Sequence, residues 1–181
     1  MNRCKWVNLN NNLYVLYHDN EWGRPTRDDN LLFELLILEG FQAGLSWECI
    51  LNKRNSFKEA FSNFNPKEIA KYDENKINEL MNNKNIVRNR RKIEATIINA
   101  KVFLEIQKEY KTFANYIWSF TDNKVIKNMD DNFKTTSPLS DKISKDLKKR
   151  GMKFVGTTIL YSYLQAIGVI NDHELNCFCY K

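Results

Sequence analysis

Apolar residues in this chain fall in blocks of helical length and spacing, and most blocks open on a residue able to cap a free backbone amide. Asp28-Asp29 precedes the run from Leu31 to Leu38, which predicts a buried helix ending near Gly40. Ser46 caps a second helix through Leu51, and Ser56 followed by Glu59 has the spacing of a capping box. Asn65-Pro66 with Glu68 starts another, because proline tolerates the first helical position. Asp73 precedes a short helix through Met81. From Arg88 to Tyr110 the apolar positions, among them Ile93, Ile97, Ala100, Phe103 and Ile106, recur at helical spacing. Thr112 caps a further short helix carrying Tyr116, Ile117 and Trp118. The stretch from Asp122 to Thr136 is polar and unpatterned and reads as a surface connection. No alternating strand of useful length occurs, so the expectation is an all-α fold of roughly eight helices joined by short loops.

Length refines this only slightly. A chain of 181 residues suits one domain over 1–181, with two small helical lobes around a cleft as the alternative. No apolar run approaches the roughly 18 residues of a membrane span. The net charge of +6 points modestly toward an anionic partner.

The candidate chemistry sits at the two ends. The only histidines are His18 and His173, with Cys4 upstream of the first and Cys177 four residues after the second. Two thiolates and two imidazoles complete a tetrahedral zinc shell, and a metal held by both ends would fasten the first strip of sequence to the last. Cys179 is an alternative to Cys177 at similarly short spacing. Disulfides are a further alternative, but no charged-then-apolar leader precedes Cys4, so a reducing cytosol is the expected compartment. Cys49, in an apolar helical stretch, reads as a buried small hydrophobe.

A second pattern runs from Asp141 to Thr158. A basic helix stops at Gly151, which can adopt the left-handed conformation of a helix exit, and another begins near Gly156 after a short turn. The amides opening that second helix offer a phosphate site, with Lys148, Lys149, Arg150 and Lys153 nearby. This is a helix-hairpin-helix in outline, though ordinary αα-hairpins share the pattern. Arg88, Arg90, Arg91 and Lys92 form another basic group, which reads as a solvated helix start.

The third constellation is Trp6, Tyr14, Tyr17, Glu39 and Trp47. Tyr14 and Trp22, taken alone, read as core. Glu39 does not, because it ends the run Leu35-Leu36-Ile37-Leu38, where a carboxylate is costly to bury unpartnered. Flat aromatic faces around one acid make a pocket for a flat cationic ring such as an alkylated purine.

Five blocks together resemble one family: Arg3 to Val7, Tyr17 to Gly23, Leu38 to Trp47, Lys148 to Thr158, and Asn171 to His173. The chain resembles, over its whole length, the bacterial DNA-3-methyladenine glycosylase I family of the helix-hairpin-helix glycosylase superfamily. The resemblance implies a structural zinc on Cys4, His18, His173 and Cys177, and no organic cofactor. It implies that Trp6, Tyr14, Tyr17 and Trp47 line the base pocket with Glu39, the candidate catalytic residue. It also implies that the loop from Gln42 through Gly44 to Leu45 enters the DNA. Leu45 is the candidate wedge, Gln42 the contact to the opposite base, and the turn with Lys149, Arg150, Gly151, Lys153 and Gly156 the phosphate anchor. Phe41 and Phe178 depart from the family pattern.

The implied activity is hydrolysis of the N-glycosidic bond of 3-methyladenine flipped out of duplex DNA, the first step of base excision repair, by a cytoplasmic monomer acting at the nucleoid. Asp172 is expected to support the ligand His173. No Schiff-base lysine stands out, so no lyase step is expected. Three other classes remain at this stage, each with its own signature. A damage-binding module would release no free base, a metal-dependent nuclease would leave no abasic site, and an RNA-binding protein would prefer single strands.

Overall fold

The computed structural model describes residues 1–129, 132 and 134–180. Among these, ten α-helices follow in order: α1 Asn12–Asn20, α2 Asp29–Gln42, α3 Trp47–Asn52, α4 Arg54–Ala60, α5 Pro66–Ile69, α6 Glu74–Asn82, α7 Arg90–Tyr110, α8 Phe113–Ser119, α9 Pro138–Lys149 and α10 Thr157–Ala166. Two short strands, β1 Ile126–Lys127 and β2 Ile170–Asn171, pair in parallel with Ile126 opposite Ile170.

The centre is α2, in which every position from Leu32 to Phe41 is buried. A helix apolar all round can only be stable inside other helices, and α3, α7, α8 and α10 pack around it. Asp28 caps its first turn by accepting from the Asn30 and Leu31 amides. Asp29 reaches the other way and accepts from the Phe113 and Ala114 amides and from Gln107, so one carboxylate closes the start of α8 onto the start of α2. Tyr163 of α10 donates its hydroxyl to the Leu32 carbonyl at 3.1 Å. These bonds fix the axial position of the helix that carries Glu39.

Most helix starts fall where the caps predict them: Ser46, Asn65, Asp73 and Thr112 each accept from an amide of the following turn. Several expectations are refined or corrected, and one helix is new. Ser56 does not open a helix, because α4 already begins at Arg54 after Lys53, which makes no side-chain cap. Helix α2, expected to end near Gly40, runs two residues further to Gln42, with Phe154 in contact distance of the Gly40 position. Helix α1 lacked an aliphatic signal, since its inward residues are Tyr17 and His18 while Leu13 and Leu16 stay about half exposed. The stretch 122–136 is not wholly a surface connection, since β1 lies within it; residues 130, 131 and 133 fall outside the described set. Cys49 is only half-buried.

The two ends of the chain meet closely. Gly23 donates its amide to the Gln165 carbonyl and Thr26 to that of Ile167. Gly168, at φ +73°, lies so close to Arg24 and Pro25 that a Cβ there would enter their backbone atoms. Gly168→Ala combines that clash with left-handed strain, and is expected to cost about 3 kcal/mol or more. Thermal unfolding should show a midpoint lowered by roughly 10 °C.

Candidate active site

Helix α2 buries two carboxylates, and they differ in company. Glu34 is held by Arg54 at 2.5 Å and Lys58 at 3.3 Å, and Arg54 also grips Glu21 with two hydrogen bonds. Glu39, only 3 % exposed, has no such partner among the described residues, and its Oε2 makes no hydrogen bond with any of them. Burial alone pushes its carboxyl up to about 8. An acid kept dry and unpaired on the most buried helix is costly to the fold, which is the mark of a group reserved for a ligand.

Glu39 opens into a cavity of about 350 Å³. One side is aromatic: Trp6, Tyr14, Tyr17, Trp22 and Trp47 line it. Trp6 meets Tyr14 at 5.4 Å and Trp22 at 4.8 Å between ring centroids, and Tyr17 meets Trp47 at 5.2 Å. Burial raises the Tyr17 phenol well above its ordinary value, so it stays a neutral donor. The indole nitrogen of Trp47 is also buried without a partner. The other side is polar, with Gln42, Ser162, Gln165 and Asp172. The cavity is shaped for a flat ring whose one edge can hydrogen bond to an acid.

Behind the aromatic wall lie the two histidines and two cysteines, all buried. Cys4 Sγ is 3.4 Å from His173 Nδ1, and Cys177 Sγ is 3.4 Å from His18 Nε2 and 3.6 Å from His173 Nδ1. Ordinary zinc–sulfur and zinc–nitrogen bonds subtending a tetrahedral angle give a sulfur–nitrogen edge of about 3.5 Å, so the four donors fit one metal ion. Burial holds the His173 imidazole down to about 4, hence neutral with a lone pair to offer. Burial pushes the Cys4 thiol up to about 12, so it would ionise only against a cation. Cys179 lies outside this four-donor group and neighbours His18 and Asp19 instead.

The expected support of His173 by Asp172 is not what the structure holds. His173 Nε2 faces the Trp22 carbonyl at 3.2 Å, and the carboxylate partner belongs to the other imidazole, where Asp19 sits 2.8 Å from His18 Nδ1 and is itself gripped by Arg3. Asp172 turns toward the cavity because Asn128, Tyr161 and Gln165 all donate to it. The imidazoles pack on the cavity wall: His18 against Trp6 at 5.3 Å and His173 against Trp22 at 4.6 Å.

Two loops lie against the C-terminal half of α2. Ala43 (φ −49°, ψ 114°) and Gly44 (φ +82°), closed by the Leu45 amide on the Gln42 carbonyl at 2.7 Å, form a type II turn that leaves Leu45 41 % exposed. Between α9 and α10, Gly151 takes φ +102°, and Gly156 caps α10 with no side chain in the way. Lys149 and Lys153 are exposed there. Arg150 is not free: it is bound to Glu109 and Asp146 and lies over Tyr110 and Tyr116.

A family model described as methyladenine glycosylase matches residues 6–180. The chain belongs to the methyladenine glycosylase family. Two relatives in this family, both 43 % identical, are DNA-3-methyladenine glycosylase 1 of Escherichia coli K12, with 99 % of this chain and 97 % of that one aligned, and DNA-3-methyladenine glycosylase of Haemophilus influenzae, with 98 % and 97 %. A crystal structure of 3-methyladenine DNA glycosylase I, 45 % identical, superposes with a TM-score of 0.96 over 99 % of this chain and all of the other. A variant of such an enzyme in complex with 3-methyladenine, 35 % identical, gives 0.95 over 100 % and 98 %.

For this family member the residues read from sequence converge well. Trp6, Tyr14, Tyr17, Glu39, Gln42 and Trp47 all line one cavity, and Cys4, His18, His173 and Cys177 form one cluster behind it. Sequence reading missed Trp22, whose burial resembles core, and Ser162 with Gln165. The last two lie three apart on one face of α10, a spacing that polarity alone does not single out.

Glu39 also makes stability depend on pH. Its folded pKa lies above its unfolded value, so between about 4.5 and about 8 the native state holds a proton that the unfolded chain has lost, and stability falls as pH rises through that window. Glu39→Gln removes this dependence. At pH 8 to 9 the variant should be more stable than the parent, by on the order of 3 kcal/mol, and equal to it near pH 4; urea titrations across pH check this.

Proposed function

We propose that this protein excises 3-methyladenine from alkylated duplex DNA by hydrolysing its N-glycosidic bond and leaving an abasic site. The relatives at 43 % identity carry that activity in their names, and one structural neighbour is described with 3-methyladenine bound. The observation that carries the reading is the unpaired Glu39 carboxyl facing an aromatic slot.

A 3-methyladenine nucleotide carries positive charge on its ring and an exocyclic amino group on its edge. Against Glu39 the cation restores the partner that burial removed, while the amino group donates to the open Oε2. Trp6 and Trp47 stack on the ring faces, where a cation gains about 0.5 to 2 kcal/mol, and Tyr14 and Tyr17 fix the edge. Neutral adenine gains neither the ion pair nor the cation–π attraction, so charge is the discriminator. Methylation also makes the base a good leaving group. When the C1′–N9 bond breaks, its electron pair discharges the ring, water adds at C1′, and a proton leaves from that water.

The slot can receive only a base taken out of the stack, at an unstacking cost of a few kcal/mol that damaged bases reduce. The Gln42–Leu45 turn serves as the wedge, with Leu45 filling the gap and Gln42 beside it. The α9–α10 turn serves as a helix-hairpin-helix anchor: Gly151 and Gly156 let a phosphate reach the α10 amides, and Lys149 and Lys153 supply charge. Arg150 braces that turn through Asp146 and Glu109. We read the chain as a single domain acting as a monomer.

We further infer one structural zinc on Cys4, His18, His173 and Cys177. Four protein ligands leave no open position for water, so the ion would stabilise the joined ends and, through Trp6 and Trp22, the wall of the slot.

Release of free 3-methyladenine from methylated duplex is expected for the wild type and reduced at least a hundredfold in Glu39→Gln, whose amide cannot pair with the cation. Ionised Glu39 is the form that receives the base, so kcat/KM should climb with pH until near 8 and then level. Undiminished release by Glu39→Gln would remove Glu39 from the scheme. Metal analysis of protein purified without chelator should return one zinc per chain, lost in Cys177→Ser and retained in Cys179→Ser.

A further inference from the structure

The basic group at the start of α7 divides into unlike members. Arg90 is exposed and spent on Glu74 and Glu94. Lys92 is buried, and its ammonium donates to two backbone carbonyls, Phe41 and Ala43, at 2.7 Å each. Those carbonyls belong to the C-terminal end of α2, where the helix has run out of amides to satisfy them and the backbone carries partial negative charge.

The Ala43 carbonyl has a special position. It belongs to the central peptide of the Gln42–Leu45 turn, and the orientation of that peptide is what separates a type II turn from a type I turn. With ψ 114° at Ala43 and φ +82° at Gly44 the peptide stands in the type II sense, with its oxygen on Lys92 Nζ. Turning the peptide over would take the oxygen away from the ammonium and leave a buried charge with one carbonyl fewer.

Seven residues on, two turns along the same helix, Asn99 grips the other loop. Its Oδ1 accepts from the Lys153 amide at 2.8 Å and its Nδ2 donates to the Lys153 carbonyl at 2.9 Å. Phe154, held at φ +53°, fills the space between, with its Cβ against Gly40 and its ring 5.9 Å from the Lys92 ammonium. One face of α7 therefore holds the backbones of both loops.

We propose that Lys92 is a positioning residue for duplex engagement, locking the Gln42–Leu45 turn in the type II form while Asn99 sets the α9–α10 turn at a fixed spacing from it. The proposal rests on the reading above that these two loops meet DNA. It bears on the duplex more than on the stacked base, because the Lys92 ammonium donates to the backbone on either side of Gln42 and not to Glu39 or the aromatic wall.

The test compares Lys92→Met, which keeps bulk and removes the donor, with Lys92→Arg, which keeps donor and charge. KM for methylated duplex should rise about tenfold in Lys92→Met, the size of one charge-assisted hydrogen bond, with kcat changed less than about threefold. Tryptophan-fluorescence titration with free 3-methyladenine should give wild-type affinity, and Lys92→Arg should recover most of the KM. An unchanged KM, a parallel loss of free-base affinity, or an arginine no better than methionine overturns the proposal. Nuclear magnetic relaxation on the wild type needs no variant: exchange of the Ala43–Gly44 peptide between two orientations would overturn it as well. A wild type that neither binds free 3-methyladenine nor excises it would instead sink the functional reading and, with it, the proposal that rests on it.

Discussion

One unpaired acid inside the most buried helix sets the terms for the rest of the molecule. Glu34 and Glu39 share α2, yet Arg54 and Lys58 pair with the first while no basic side chain among the described residues pairs with the second, which burial leaves to hold its own proton. A fold that brings two lysine or arginine partners to one carboxylate could have brought one to the other. The local cost is offset by the surrounding apolar packing of α2, and it remains available as binding energy for a ring that arrives with its own positive charge.

That acid works only if its walls keep their places, and the walls come from distant sequence. Trp6 and Trp22 lean on the imidazoles of His18 and His173, so the cluster at the joined ends and the slot are one construction. Helix α2 then adds a second economy. Glu39 and the turn beginning at Gln42 are separated by less than one helical turn, so the proposed acceptor for the base and the proposed wedge share one rigid rod. Lys92 and Asn99 tie the end of that rod to the α9–α10 turn.

Much of this was legible before any coordinates, and for physical reasons. Caps such as Ser46, Asn65, Asp73 and Thr112 act within four residues, so local chemistry suffices to find them. Glu39 stood out because a carboxylate ending an aliphatic run has few structural excuses. Helix α1 stayed hidden because its inward face is built from a phenol and an imidazole, leaving no aliphatic periodicity. The parallel pair β1 and β2 joins residues more than forty apart, and two-residue strands carry no alternation to read. Asp172 is expected beside His173, but adjacency in sequence does not decide which way a side chain turns: three donors draw Asp172 into the cavity, while Asp19, held between Arg3 and His18, is the carboxylate beside an imidazole. Lys92 looked like its exposed neighbours, and only the path of α2 past it shows otherwise.

The meeting of Cys4 and His18 with His173 and Cys177 bears on biosynthesis. A nascent chain leaving the ribosome can form α2, pack α7 and α8 onto it and stack Trp22 on His18, but the second imidazole against which Trp22 packs is missing until residue 173 has emerged. Closing a loop of some 170 residues must wait for the end of synthesis and carries a larger entropy cost than the local helix contacts. A partly made chain thus carries the buried acid before Ser162, Gln165 and His173, which complete the lining of its cavity, exist.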